Sequence, residues 1–151
     1  MELTRLLKGK TVFIDTAPFI YFIEKNSRYH RIVKPIISLI DSSQVKGVTS
    51  TITLLEVLVL PIREGKRKVA EQYKAILLDS AGLTTLEITH QISERAAHLR
   101  AKHSLRTPDA LQLATALVAN ADYFLTNDIT LKKAKEIKVL ILDDLLKVRQ
   151  E

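Results

Sequence analysis

An α/β fold, a parallel five-stranded sheet flanked by helices, is what this 151-residue sequence predicts, on three observations. Short β-like runs alternate with helical stretches along the whole chain, the pattern of strands joined by helical crossovers. Runs such as Val12-Phe13-Ile14 and Val139-Leu140-Ile141 are continuously apolar, as strands covered on both faces must be. Finally, 46% of the residues are hydrophobic, with no internal repeat and no Gly/Ser-rich linker, which points to one domain over residues 1–151.

Each element has a local reason. Thr11–Asp15 reads as a buried strand, followed by Thr16 as a cap and Pro18 in a helix's first turn. Ile32, Ile36, Ile37 and Ile40 form one stripe of a second helix, in which Pro35 marks a start or a kink. Val45–Thr49 is a strand, and Ser50 caps a helix over Thr51–Leu60 that Pro61 is expected to end. Lys66–Leu78 is amphipathic. Thr84–Ile88 is the third strand, and Thr89 caps a helix running to Lys102. Thr107-Pro108 opens another helix to Ala119. Tyr123–Thr126 and Lys138–Leu142 are the last strands, separated by a short helix over Ile129–Glu136, with Asp143 or Asp144 capping a terminal turn.

Composition removes several classes of function. The absence of cysteine excludes a disulfide scaffold, a thiolate metal site and a cysteine nucleophile. No apolar run approaches the roughly 18 residues of a membrane span, and the charged start is unlike a signal peptide, so a cytoplasmic protein is expected. Twenty-three basic against 17 acidic residues give a net charge of +6. Such a field attracts polyanions, nucleic acid before membranes, although it also simply keeps a small domain dispersed.

Four acids stand in surroundings that do not suit ordinary surface carboxylates. Asp15 ends an apolar strand, and Asp128 follows Tyr123-Phe124-Leu125-Thr126-Asn127 at another strand's carboxyl end. Glu56 has Ile52, Val59 and Leu60 as helical neighbours, on a helix with no charged face to solvate it. Asp109 opens an apolar helix and shares its face with Leu113 and Ala116. Each has a structural explanation: a helix cap, a first-turn acid, an Asx turn or a satisfied core polar group. Their apolar runs offer no lysine or arginine as partner. Together, acids gathered at one sheet edge repel unless a cation lies among them. All-oxygen donors select Mg²⁺ or Mn²⁺ over zinc, and such ions can clamp the oxygens of an in-line phosphoryl displacement.

Other constellations are weak. His30, His90, His98 and His103 make no helical metal pair, and the glycines Gly9, Gly47, Gly65 and Gly82 build no phosphate loop. Position 17 is Ala, where a phosphoaspartyl transferase would need a second Asp.

Asp15, Ser50-x-x-Thr53-x-x-Glu56, Arg106-Thr107-Pro108-Asp109-Ala110 and Thr126-Asn127-Asp128, in that order, resemble the PIN-domain ribonucleases, above all the single-domain VapC-type toxins. The resemblance runs from about Val12 to Asp144. It implies a three-layer sandwich and Mg²⁺- or Mn²⁺-dependent cleavage of RNA, with a homodimer and a cognate antitoxin as partners. Asp15, Glu56, Asp109 and Asp128 become the metal-ligating catalytic quartet. Thr126 would orient a water or a carboxylate, Asn127 would lie beside the metal pocket, and Ser50 would be a helix cap or a hydroxyl near Glu56. Ala17 departs from the polar residue many relatives carry there. Arg106, Arg63 and Arg67 are candidates for gripping substrate, the latter two within a basic 63–68 segment that reads equally as a solvated helix face. A housekeeping RNA-processing nuclease and a catalytically weak RNA- or protein-binding module are the alternatives to a toxin.

Overall fold

The computed structural model describes residues 2–150, with side chains through Lys147, so that Met1 and Glu151 lie outside the described residues. Five strands, β1 (Thr11–Ile14), β2 (Lys46–Ser50), β3 (Leu83–Leu86), β4 (Tyr123–Thr126) and β5 (Lys138–Ile141), form one sheet. Their order is β3-β2-β1-β4-β5, and every pairing is parallel.

The period-2 alternation of side chains sorts the central strands between two layers. Val12, Ile14 and Leu125 pack with helices α2 (Thr16–Ile23), α3 (His30–Asp41), α4 (Thr51–Arg63) and α5 (Arg67–Asp79). Phe13, Val48 and Phe124 face α6 (His90–His103) and α7 (Thr107–Val118), with the Phe13 and Phe124 rings stacked at 4.9 Å. With α1 (Glu2–Leu7) and α8 (Leu142–Gln150), the result is helices on both faces of a buried parallel sheet.

Several boundaries differ from the sequence-based expectation. Pro61 lies inside α4, which continues to Arg63, and Pro35 lies inside α3, which begins at His30. A proline deletes one helical donor, yet its fixed φ suits the helix. Burial decides the outcome: Ile32, Val33, Ile36, Ile37 and Ile40 are all in the core. The cap of α2 is Asp15, whose side chain accepts from Thr16 N, and not Thr16. The last helix starts directly after β5 at Leu142, which leaves Asp143 and Asp144 in its first turn. The expected Ile129–Glu136 helix is a 3₁₀ turn over Ile129–Lys133.

Gly82, just before β3, marks the tightest approach in the molecule's glycine turns, since a Cβ there would stand 1.9 Å from the carbonyl oxygen of Ile40. Gly82→Ala is therefore expected to destabilise the fold by about 3 kcal/mol, the upper part of the overpacking range, and to lower Tm by roughly 10 °C. A thermal melt at the wild-type value would show that α3 moves aside at no cost.

This topology positions the site. The chain leaves β1 toward β2 and β3 on one side, and returns to β4 and β5 on the other. The order therefore switches between β1 and β4, and a crevice at the carboxyl ends of those strands is where such sheets take ligands.

Candidate active site

Asp15 and Asp128 occupy opposite banks of that switch point. Asp15 leaves the end of β1, its backbone N–H bonded to Leu125 O at 3.0 Å. Its Oδ1 accepts from Thr16 N at 2.9 Å and Gln112 Nε2 at 3.2 Å, while Oδ2 accepts from Thr126 Oγ1 at 2.7 Å. Burial pushes the Asp15 carboxyl above the ordinary carboxylate range; these three donors pull it back, and the Asp109 charge raises it further. Thr126 thus orients a carboxylate, one of its two expected roles. The same hydroxyl accepts from Asp128 N at 3.1 Å, so one side chain sets the positions of two acids.

Each of the other acids has its own local partner. Asp128 Oδ1 accepts from Thr130 N at 3.0 Å and Thr130 Oγ1 at 2.7 Å, capping the 3₁₀ turn. Glu56 Oε1 accepts from Thr16 Oγ1 at 2.6 Å, which ties α4 to α2. Glu56 is exposed at the groove's rim, contrary to the expectation of an unsolvated acid: Leu55, Val59 and Leu60 share that outer face with it. Asp109 also departs from expectation, because it does have a cationic partner. Arg106 Nε donates to Asp109 Oδ2 at 3.1 Å and Nη2 to Oδ1 at 3.5 Å, a pair that bridges the N-terminal turn of α7. That hydrogen bond raises the Arg106 guanidinium above its ordinary value, and the charges of Asp109, Asp128 and Glu56 act in the same sense.

Asp15, Glu56, Asp109 and Asp128 line one open groove of about 590 Å³, together with Thr16, Ala17, Tyr21, Arg106, Thr126 and Asn127. The sequence-predicted acids are therefore brought together. Among the described residues, however, no three His, Asp or Glu side chains close up enough to hold a metal ion unaided. In kind, the donor set fits a hard divalent cation: four carboxylates, and no thiol or imidazole among the lining residues. In the arrangement seen, the cation among the acids is the Arg106 guanidinium.

The supporting residues divide. Asn127 lines the groove, but its amide is committed: Oδ1 accepts from Asp143 N at 3.1 Å and Nδ2 donates to Tyr21 Oη at 3.4 Å. Ser50 is the cap of α4, accepting from Ile52 N at 3.1 Å, and donates to Gln112 Oε1 rather than to Glu56. Of the candidate substrate-gripping arginines only Arg106 lines the acid groove. Arg67 lines a separate groove between α4 and α5, and Arg63 closes the last turn of α4. Asp143 and Asp144 pair with Arg28 and Lys132, and His103 bonds Glu136, so these groups have structural employment. Sequence reasoning gives Thr16 and Gln112 no role in the site, and Thr53 none beyond its place in the Ser50-x-x-Thr53-x-x-Glu56 motif. Gln112 carried a usable signal: it is polar within Leu111-Gln112-Leu113, three residues after Asp109 and hence on the same helix face.

Fold and groove define an α/β protein with an acidic cleft at its topological switch. The chain belongs to the PIN-domain family, whose sequence pattern matches residues 12–137. No curated protein matches the chain. Solved structures with a similar fold include VapBC2 from Rickettsia felis bound to a fragment of its promoter DNA, at TM-score 0.64 and 20% identity, covering 87% of this chain and 98% of that one. A toxin–antitoxin complex from Klebsiella pneumoniae aligns at TM-score 0.64 and 21% identity, over 87% and 97%. VapC20 from Mycobacterium tuberculosis, a Sarcin-Ricin loop cleaving toxin, aligns at TM-score 0.61 and 21% identity, over 75% and 86%. At such identities these likenesses show the fold.

Proposed function

We propose that this protein is an Mg²⁺- or Mn²⁺-dependent endoribonuclease, hydrolysing RNA phosphodiester bonds in the cytoplasm as the toxin of a toxin–antitoxin pair. The observation that carries this reading is the gathering of Asp15, Glu56, Asp109 and Asp128 on one groove at the β1/β4 switch of a PIN-family chain. Bound among those acids, a divalent cation supplies Lewis-acid stabilisation to a phosphodiester. The chain's own residues do the rest. Thr126 fixes Asp15 and Asp128 against each other, and Thr16 fixes Glu56. Arg106, exposed at the rim, meets the phosphate backbone that the net positive charge attracts.

The toxin assignment draws on structural neighbours that include a toxin–antitoxin complex and a Sarcin-Ricin loop cleaving toxin. A homodimer and an antitoxin are the partners of this reading. Support comes from the outer face and end of α4, where Leu55, Val59, Leu60 and Ile62 are 60%, 42%, 47% and 67% exposed.

Labelled single-stranded RNA incubated with the purified protein tests the proposal. Cleavage is expected with Mn²⁺ or Mg²⁺ and not with chelator. RNA affinity should fall log-linearly with salt, by about 0.7 per phosphate contact. Cleavage that persists in chelator, or salt-independent binding, would overturn it.

A further inference from the structure

Gln112 is 2% exposed and lies under the groove rather than in it, yet its side chain reaches the most strongly held acid of the site. Its Oε1 accepts from Ser50 Oγ, and Ser50 is itself fixed as the cap of α4 by Ile52 N at 3.1 Å. This sets the amide's orientation, so that Nε2 faces Thr53 Oγ1 at 2.8 Å and Asp15 Oδ1 at 3.2 Å. Thr53 is anchored in turn by the Thr49 hydroxyl at 2.9 Å, which also reaches Ile14 O at 2.8 Å. No buried side-chain polar atom among the described residues is left unsatisfied, so this network is complete.

An ionised carboxylate offers about four lone-pair sites over its two oxygens. On Asp15, Thr16 N and Gln112 Nε2 take both sites of Oδ1, and Thr126 Oγ1 takes one of Oδ2. One site remains, on Oδ2. We propose that Gln112 is a positioning residue that, by completing Oδ1, commits Asp15 to meet a divalent cation through Oδ2 alone. The inference rests on the metal-dependent reading above and adds a residue of this chain to it. Without the amide, Oδ1 regains a free site and the carboxylate can turn about its Cβ–Cγ bond, so the cation would meet a less defined ligand. Partners that orient metal ligands in this way change affinity by 10- to 100-fold when removed, with the ligand itself intact.

Calorimetric titration of Mn²⁺ into the full chain, paired with thermal melts, tests this. Gln112→Met keeps the length and bulk of the side chain and removes its donor. It should bind Mn²⁺ about 10-fold more weakly than wild type at a temperature where the melt shows it folded. Ser50→Ala keeps Gln112 but removes the hydroxyl that orients its amide, and should show a smaller loss in the same direction. If Gln112 only fills the core, Gln112→Met lowers Tm and leaves Mn²⁺ affinity unchanged, which would overturn the proposal. Should Gln112→Met fail to fold, Ser50→Ala decides alone: weakened binding supports the proposal, and unchanged binding overturns it. Absence of Mn²⁺ binding by the wild type would overturn the metal-dependent reading itself, and this proposal with it.

Discussion

Asp15→Asn is expected to lower RNA cleavage by about a thousandfold while raising the stability of the protein in chelator. The loss follows from removing a ligand charge whose role in stabilising the reaction is worth several kcal/mol, at 1.36 kcal/mol per factor of ten. The stability gain follows from burial. Desolvation holds the folded carboxyl above its ordinary value of 3.8, despite the donors from Thr126, Thr16 and Gln112. Across the window from 3.8 up to the raised folded value, the folded state binds more protons than the unfolded one. Stability from this group is thus fully present below 3.8, and it is lost as pH climbs through the folded value. Asparagine does not titrate, so the variant's stability should lack that decline. Thermal melts in chelator from acid to neutral pH, with cleavage assays on the same samples, measure both effects. A variant that melts lower than wild type at neutral pH and still cuts RNA would assign Asp15 to capping α2 and nothing more.

Asp109→Asn should lose cleavage to a comparable degree, about a thousandfold, but with a different stability result. Asp109 is paired with Arg106 at 3.1 Å, and the Arg106 side chain is 76% exposed. Exposed ion pairs contribute little, so Tm should stay within about 3 °C of wild type. The repulsion among the acids is already offset by the guanidinium, which leaves little stored repulsion for the substitution to release. A variant that is clearly destabilised yet retains cleavage would reduce Asp109 to a first-turn acid favourable to the α7 dipole. The contrast between the two variants is itself informative: equal losses of activity, with opposite demands on solvation, separate a ligand role from a folding role.

Much of the architecture was legible in the sequence because its causes are local. Strand β1 is apolar at every position but its first, so it can only be a strand covered on both faces, and parallel β/α alternation then follows from connection length. The four acids were legible for the same reason, since a carboxylate at the end of an apolar strand or on an apolar helix is conspicuous. Helix ends were less so: Pro61 and Pro35 predict interruptions, but the deleted donor is outweighed by burial, of the isoleucines around Pro35 in α3 and of Val57 and the Pro61 ring itself in α4.

Residue order along the chain by itself determined the fold class and singled out the four acids that line one groove. Only the tertiary structure decided how they are held. The strand order β3-β2-β1-β4-β5 places Asp15 beside Asp128 across 113 positions of sequence, and the α7 register swings Gln112 beneath Asp15 across 97. Tertiary packing also decided that Glu56 is exposed, bonded to the Thr16 hydroxyl, and that α4 carries apolar side chains on its outer face. The physical reason is range. Hydrophobic periodicity and capping act over a few residues and are written in the sequence, whereas a hydrogen bond's partner is chosen by whatever the packed core brings within about 3 Å.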